Sequence, residues 1–171
     1  MKHLFLFIGI TTALIFSSCE GDQGPPGEPG INILGQVFET TTNFNNGNAY
    51  ESLVSFPSNI TVFESDAILV YWLEDVVSDG NGGSIDVWSP LPQTLYVDGG
   101  SFQYTFNHTF LDVLIFLQGD IDLNTLGSGF TNNQTFRIAV VPSEFADANL
   151  SMDDLLRQIE VDTSEIERIS N

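Results

Sequence analysis

The sequence predicts an all-β protein: a single β-sandwich or jelly-roll-like domain of about eight strands, with one or two short helices at its C-terminal end. Three observations predict it. From Ile31 onward, short runs rich in β-branched and aromatic residues alternate with Gly, Asn, Asp and Pro clusters. Several of those runs alternate apolar and polar residues one by one, the pattern of a sheet packed on one face and wet on the other. The chain then ends on a helical spacing of apolar residues.

Taken in order, strands are expected at residues 32–39, 50–56, 67–73, 84–88, 94–97, 102–106, 111–117 and 134–141. The turns between them have the right chemistry: Asn45-Asn46-Gly47-Asn48, Asp79-Gly80-Asn81-Gly82-Gly83, Asp98-Gly99-Gly100 and Gly127-Ser128-Gly129. Asp98-Gly99-Gly100, flanked by Leu95-Tyr96-Val97 and Phe102-Gln103-Tyr104, is the best hairpin signal. Tyr104, Phe106, His108 and Phe110 are expected on one face, as are Leu111, Val113, Ile115 and Leu117. The run Ala67-Ile68-Leu69-Val70-Tyr71-Trp72-Leu73 is apolar on both faces, which suits a central strand or one covered by the tail. Near the end, Met152, Leu155, Leu156 and Ile159 form a helix stripe, and Ser151 with Asp154 three residues later resembles a capping box. A second helix start is expected at Asp162 or Thr163, with Ile166 and Ile169 as its apolar side.

The 171 residues suffice for one ordinary domain. Hydrophobic residues make up 42% of them, enough to build a core despite a net charge of −19. That charge excludes nucleic acid as a partner, because phosphate binding needs clustered Lys and Arg.

The first 18 residues read as a signal peptide. Lys2 and His3 form a polar head, and the apolar run from Leu4 to Phe16 is too short for a bilayer-spanning helix, which takes about 20 residues. The run leads into Phe16-Ser17-Ser18-Cys19, and Cys19 is the only cysteine. A lone Cys has no internal disulfide partner, so its place directly after the apolar run is the informative fact. The tetrad resembles the lipobox of bacterial lipoproteins, in the aromatic-Ser-Ser-Cys form found in Bacteroidota. The resemblance implies diacylation of the Cys19 thiol, cleavage before Cys19 and acylation of the new amino group. Several acyl chains anchor stably where one holds weakly.

Cleavage there leaves 153 residues without any lysine, in which Arg137, Arg157 and Arg168 face 23 acids. Anionic headgroups repel such a surface, so the acyl chains must hold the protein to the membrane. Residues 19–31 form the lipidated Cys and a linker, and residues 32–171 the body. Glycines 21, 24, 27 and 30 keep the three-residue period of collagen. Four triplets without a trimerising coiled coil read as an extended spacer; at about 3.1 Å per residue, residues 21–32 reach roughly 37 Å. Glu20 and Asp22 loosely resemble the acidic export signal of surface lipoproteins in Bacteroidota, which favours the cell surface over a periplasm-facing position at the outer membrane. Lipobox, linker and acidic β-rich body together resemble a group of small Bacteroidota lipoproteins. The resemblance implies an exported, anchored protein and brings no activity with it.

No residue set specifies a reaction, so the expectation is a non-enzymatic binding or structural protein without a cofactor, with a glycan or a protein as the open partner. His108, the single histidine after cleavage, lies in no Gly-x-Ser-x-Gly context and reads as a satisfied core or edge residue. One His and one acylated Cys do not supply a zinc site. Asp120, Asp122 and Asn124 have calcium-loop spacing, but Thr125 stands where the sharp-turn Gly belongs and Thr131 where the closing Glu belongs. Alternation with Ile121 and Leu123 in a strand is the better reading of these candidates. Asp79, Asn81 and Asp86 are a poorer version of the same idea. Trp72 and Trp88, with Tyr50, Tyr71 and Tyr96, are candidates for a sugar-stacking platform, against core packing as the plainer reading. At least one of the adjacent Tyr71 and Trp72 is expected to be exposed. A small hydrolase using a carboxylate pair is the remaining alternative. Arg137, beside inward-facing Phe136, is expected to face out or to pair with a neighbouring acid.

Overall fold

The computed structural model describes residues 35–146 and 150–170. The expected signal peptide over residues 1–18, Cys19, the glycine triplets and the expected strand start at Asn32 lie outside the described residues.

Nine strands form two sheets: β1 (Gln36–Thr42), β2 (Glu51–Ser55), β3 (Asp66–Ser78), β4 (Ser84–Pro90), β5 (Gln93–Val97), β6 (Gly100–His108), β7 (Asp112–Gly119), β8 (Gln134–Pro142) and β9 (Glu167–Ser170). The five-stranded sheet runs β4-β3-β8-β1-β9 and the four-stranded sheet β2-β7-β6-β5. All pairings are antiparallel except β1 with β9. This is an all-β sandwich, and each of the eight expected strands is present.

Alternation explains the packing. Phe38, Val70, Trp72, Phe136 and Ile138 from the larger sheet meet Val54, Phe102, Tyr104, Val113, Ile115 and Leu117 from the smaller one in one buried core. The intervening residues of β6 and β7, such as Gln103 and Gln118, point away from it. The larger sheet carries a second core on its outer face, where Val37, Tyr71, Ala139 and Val141 pack beneath Met152, Leu155, Leu156 and Ile159. Those four side chains are the expected stripe: Met152, Leu155 and Leu156 lie on helix α2 (Met152–Gln158) and Ile159 is its C-cap. Its N-cap is Ser151, whose hydroxyl accepts from the Asp154 backbone N–H at 3.2 Å. Each buried aliphatic side chain of this stripe contributes about 1.5–3 kcal/mol relative to exposure. The doubly apolar run in β3 is therefore both central and covered by the tail.

The Asp98-Gly99 loop closes the β5–β6 hairpin, with Val97 opposite Gly100. Gly99 has φ of +94°, a conformation that costs an L side chain dearly.

Several expectations change. The segment after Asp162 forms only a 3-10 turn, Thr163–Glu165, and then strand β9. The open edge of β1 offers unpaired backbone groups that β9 satisfies, and Ile169 reaches the intersheet core. The expected turn Gly127-Ser128-Gly129 instead opens a single helical turn, α1 (Ser128–Thr131), with Gly127 as its N-cap. Phe110 and Leu111 sit in the β6–β7 connection and are exposed, because Thr109 bonds to Asp112 and ends the strand alternation there. Tyr71 and Trp72 are both buried, since α2 covers the face that Tyr71 occupies.

Candidate functional site

The most organised polar cluster lies on the outer face of the five-stranded sheet, on the half that α2 leaves uncovered. Register builds it. Glu39 on β1 is directly opposite Arg137 on β8 and Arg168 on β9, so three charges share one row across three strands. The Arg137 Nε donates to Glu39 Oε1 at 2.8 Å, and the Arg168 Nε donates to Oε2 at 2.9 Å. One carboxylate therefore holds two guanidinium groups. Arg137 is 6% exposed and Glu39 5% exposed, while the Arg168 side chain is 81% exposed. The Arg137 guanidinium also lies over the Trp88 ring, 4.1 Å from its centroid, a cation–π contact that shields the charge from water. Asp86 Oδ2 approaches Arg137 at 4.0 Å. Around this row is a cavity of about 270 Å³, lined among others by Glu39, Thr41, Asp86, Trp88, Thr135 and Arg168.

The cavity brings two carboxylates together, yet a cation sits between them. The order of charges, Glu39–Arg137–Asp86, belongs to an ion-pair network; a working acid–base pair needs two carboxyl groups facing a reacting bond. Chemically, the cluster clasps β9 to the sheet. Arg137 takes the second of its two expected roles, pairing with a neighbouring acid. Glu39 was not singled out in the sequence. The available signal was an acid inside the strand Val37-Phe38-Glu39-Thr40, but its meaning depends on which residue lies opposite.

The other candidates are placed apart. Asp120, Asp122 and Asn124 lie beyond the end of β7, in a bend and a 3-10 turn (Leu123–Thr125), so strand alternation does not describe them. Asp120 Oδ1 accepts from the Ser101 backbone N–H at 2.6 Å. Asp122 Oδ1 caps the turn, accepting from the Asn124 backbone N–H at 3.0 Å and its side-chain amide at 2.8 Å. The Asn124 side-chain Oδ1 accepts from the Tyr50 hydroxyl at 3.0 Å. These bonds hold the Asp120 and Asp122 carboxyls below the usual carboxylate range. Asp79 serves its own loop, accepting from the backbone N–H groups of Asn81 and Gly83, whereas Asp86 belongs to the Arg137 cluster. Among the described residues, no group of three or more His, Cys, Asp or Glu is placed to hold a metal ion.

The two tryptophans occupy opposite faces of the larger sheet. Trp72 is 5% exposed in the intersheet core, where its Nε1 donates to Gln134 Oε1 at 2.9 Å. The Gln134 amide in turn donates to the Gly129 and Asn132 carbonyls, and the Tyr104 hydroxyl donates to the Phe130 carbonyl at 2.5 Å, with Gln134 Oε1 as a longer second acceptor at 3.2 Å. Burial pushes the Tyr104 phenol above its ordinary value. Trp88 is half-buried beneath Arg137. The pair therefore forms no shared platform, and Tyr50 and Tyr71 are buried too. Tyr96 alone of that group is open, at 86%. His108 ends β6 as an exposed residue stacked on Phe106, with centroids 6.3 Å apart.

Comparison with protein-family models, with curated proteins and with solved structures finds no match to this chain.

Proposed function

We propose that this protein is a lipid-anchored component of a bacterial cell envelope that displays an acidic β-sandwich in a binding or structural role, without catalysis. The observation that carries the reading is Phe16-Ser17-Ser18-Cys19: a single thiol, directly after two small residues and an apolar run. Charge supports it. With 23 acids and four basic residues in the whole chain, the folded surface has no affinity of its own for anionic lipid, so attachment falls to acyl chains on Cys19. The body's ionic side chains support the non-catalytic part: Glu39 and Arg137 are committed to each other, and Asp120 and Asp122 to turns. The outer membrane is the proposed location, with the body on the cell surface.

Metabolic labelling with radioactive palmitate tests the anchor. The wild-type chain takes up label and partitions into detergent, and Cys19→Ala does neither. Label that persists in Cys19→Ala, or a mature product whose mass shows an unmodified sulfur, overturns the reading. Protease treatment of intact cells separates surface display from a periplasmic position.

A further inference from the structure

We infer that the outer face of the four-stranded sheet is a binding face for a neutral, hydroxyl-rich glycan, centred on Tyr96. The inference concerns what the displayed domain binds and does not depend on how the chain is anchored.

Three features of that face converge. The first is its charge. Strands β5 and β6 contain no Asp, Glu, Lys or Arg, and β7 contains only Asp112, at its start. Glu51 of β2 and Asp120 border it, so in a chain of net charge −19 the surface over β5, β6 and β7 is an uncharged window with an anionic rim. An anionic ligand is repelled by these surroundings, and the window itself offers no charge with which a cationic one could pair.

The second is an amide ladder across the strands. Thr94, Gln103 and Gln118 lie side by side on β5, β6 and β7, because Thr94 pairs with Gln103 and Gln103 with Gln118. The Gln118 Nε2 donates to Gln103 Oε1 at 2.9 Å, and the Gln103 Nε2 donates to Thr94 Oγ1 at 3.1 Å. These bonds fix both amide planes. Each amide nitrogen has a second N–H, and the Gln118 carbonyl has lone pairs to offer. The result is a row of oriented, uncharged donors and acceptors on a rigid scaffold, which is how vicinal hydroxyls are read.

The third is Tyr96 itself, 86% exposed and directly across from Ser101. A phenol ring held out of a strand offers an apolar face with a polar tip, suited to the C–H face of a pyranose ring. Over the ladder is a shallow, open depression of about 390 Å³ lined among others by Thr94, Ser101, Gln103, Gln118 and Asp120, and Tyr96 adjoins it through its cross-strand neighbour Ser101. Asp120 closes one end, fixed by the Ser101 N–H.

The test uses the full chain as cells produce it, in a non-glycosidic detergent, applied to immobilised cellohexaose, mannohexaose, maltohexaose and chitohexaose, with sialylated and sulfated glycans alongside. At least one neutral oligosaccharide is bound. Tyr96→Ala weakens that binding about tenfold, the scale of one lost aromatic contact, while Tyr96→Phe keeps most of it. Gln118→Ala weakens it several-fold. Cys19→Ala leaves it unchanged. Unaltered thermal melting of Tyr96→Ala shows that its loss of binding is not a loss of fold. The inference is overturned if no neutral oligosaccharide binds at millimolar concentration, if only the anionic glycans bind, or if both Tyr96→Ala and Gln118→Ala bind as the wild type does.

Discussion

The two sheets face each other across one core, but their outer faces have opposite fates. The outer face of the larger sheet is largely covered: α2 lies over Val37, Tyr71, Ala139 and Val141, and the Glu39–Arg137–Trp88 cluster lies beside it. The outer face of the smaller sheet is bare, with Tyr96, Gln103 and Gln118 turned to water. The difference is written in the strands. β8 reads Phe136-Arg137-Ile138-Ala139-Val140-Val141, apolar on both sides apart from one paired cation, so it needs cover on both. β6 alternates Phe102, Tyr104 and Phe106 with Gln103, Thr105 and Asn107, so one side is built for solvent or a ligand. A closed face is a structural expense met by packing; an open face of rigid polar groups is free to bind.

The comparison breaks most sharply at Glu39. Glu39→Ala leaves the Arg137 guanidinium buried without its carboxylate, a loss of about 3–5 kcal/mol. Arg168→Ala removes the partner on the solvent side and costs about 1 kcal/mol or less. Urea unfolding of both variants measures the ratio. Equal effects would show that burial does not distinguish the two halves of the clasp.

That clasp was also the least legible part of the molecule. Local periodicity carries a strand such as Val113, Ile115 and Leu117, and a helix such as Met152, Leu155, Leu156 and Ile159, because each pattern lies within a few residues. The Glu39 cluster joins positions 98 and 129 residues apart, and nothing local encodes that pairing. β9 is only four residues long, Glu167-Arg168-Ile169-Ser170, and its strand state comes from the edge of β1 that it completes. Tyr71 and Trp72 show the same limit from the other direction. Alternation correctly sends them to opposite faces, but only the position of α2 reveals that both faces are covered. Tyr96 was legible as a candidate; its partners Gln103 and Gln118 were not, because their alignment depends on the β5–β6–β7 register.

A second pair of variants sharpens the contrast between closed and open faces. Leu155 is fully buried beneath the tail helix, and Leu155→Ala should cost about 2–5 kcal/mol through lost contacts and the cavity left behind. Tyr96→Ala, on the open face, should stay within about 0.5 kcal/mol of the wild type. Thermal melting of both checks this. A strongly destabilised Tyr96→Ala would mean that the open face is part of the fold's support and not reserved for a ligand.

The smallest effect concerns the turns that frame the sheets. Hydrogen bonds hold four exposed carboxyls below their ordinary value of 3.8: Asp79 by the Asn81 N–H, Asp120 by the Ser101 N–H, Asp122 by the Asn124 amide and Asp162 by the Ser164 hydroxyl. A carboxyl depressed in the folded state binds its proton more readily when unfolded. Its stabilising contribution is therefore complete well above pH 3.8 and is lost as the pH falls through the lower folded value. All four are open to solvent, so screening keeps each contribution small. Asp120 lies at the end of the bare sheet, where it ties β7 to β6. Asp120→Asn retains an acceptor for the Ser101 N–H but has no proton to gain. Urea midpoints between pH 6 and pH 2.5 should fall more steeply for the wild type than for Asp120→Asn. Parallel acid limbs would show that this carboxylate does not hold the open sheet's edge.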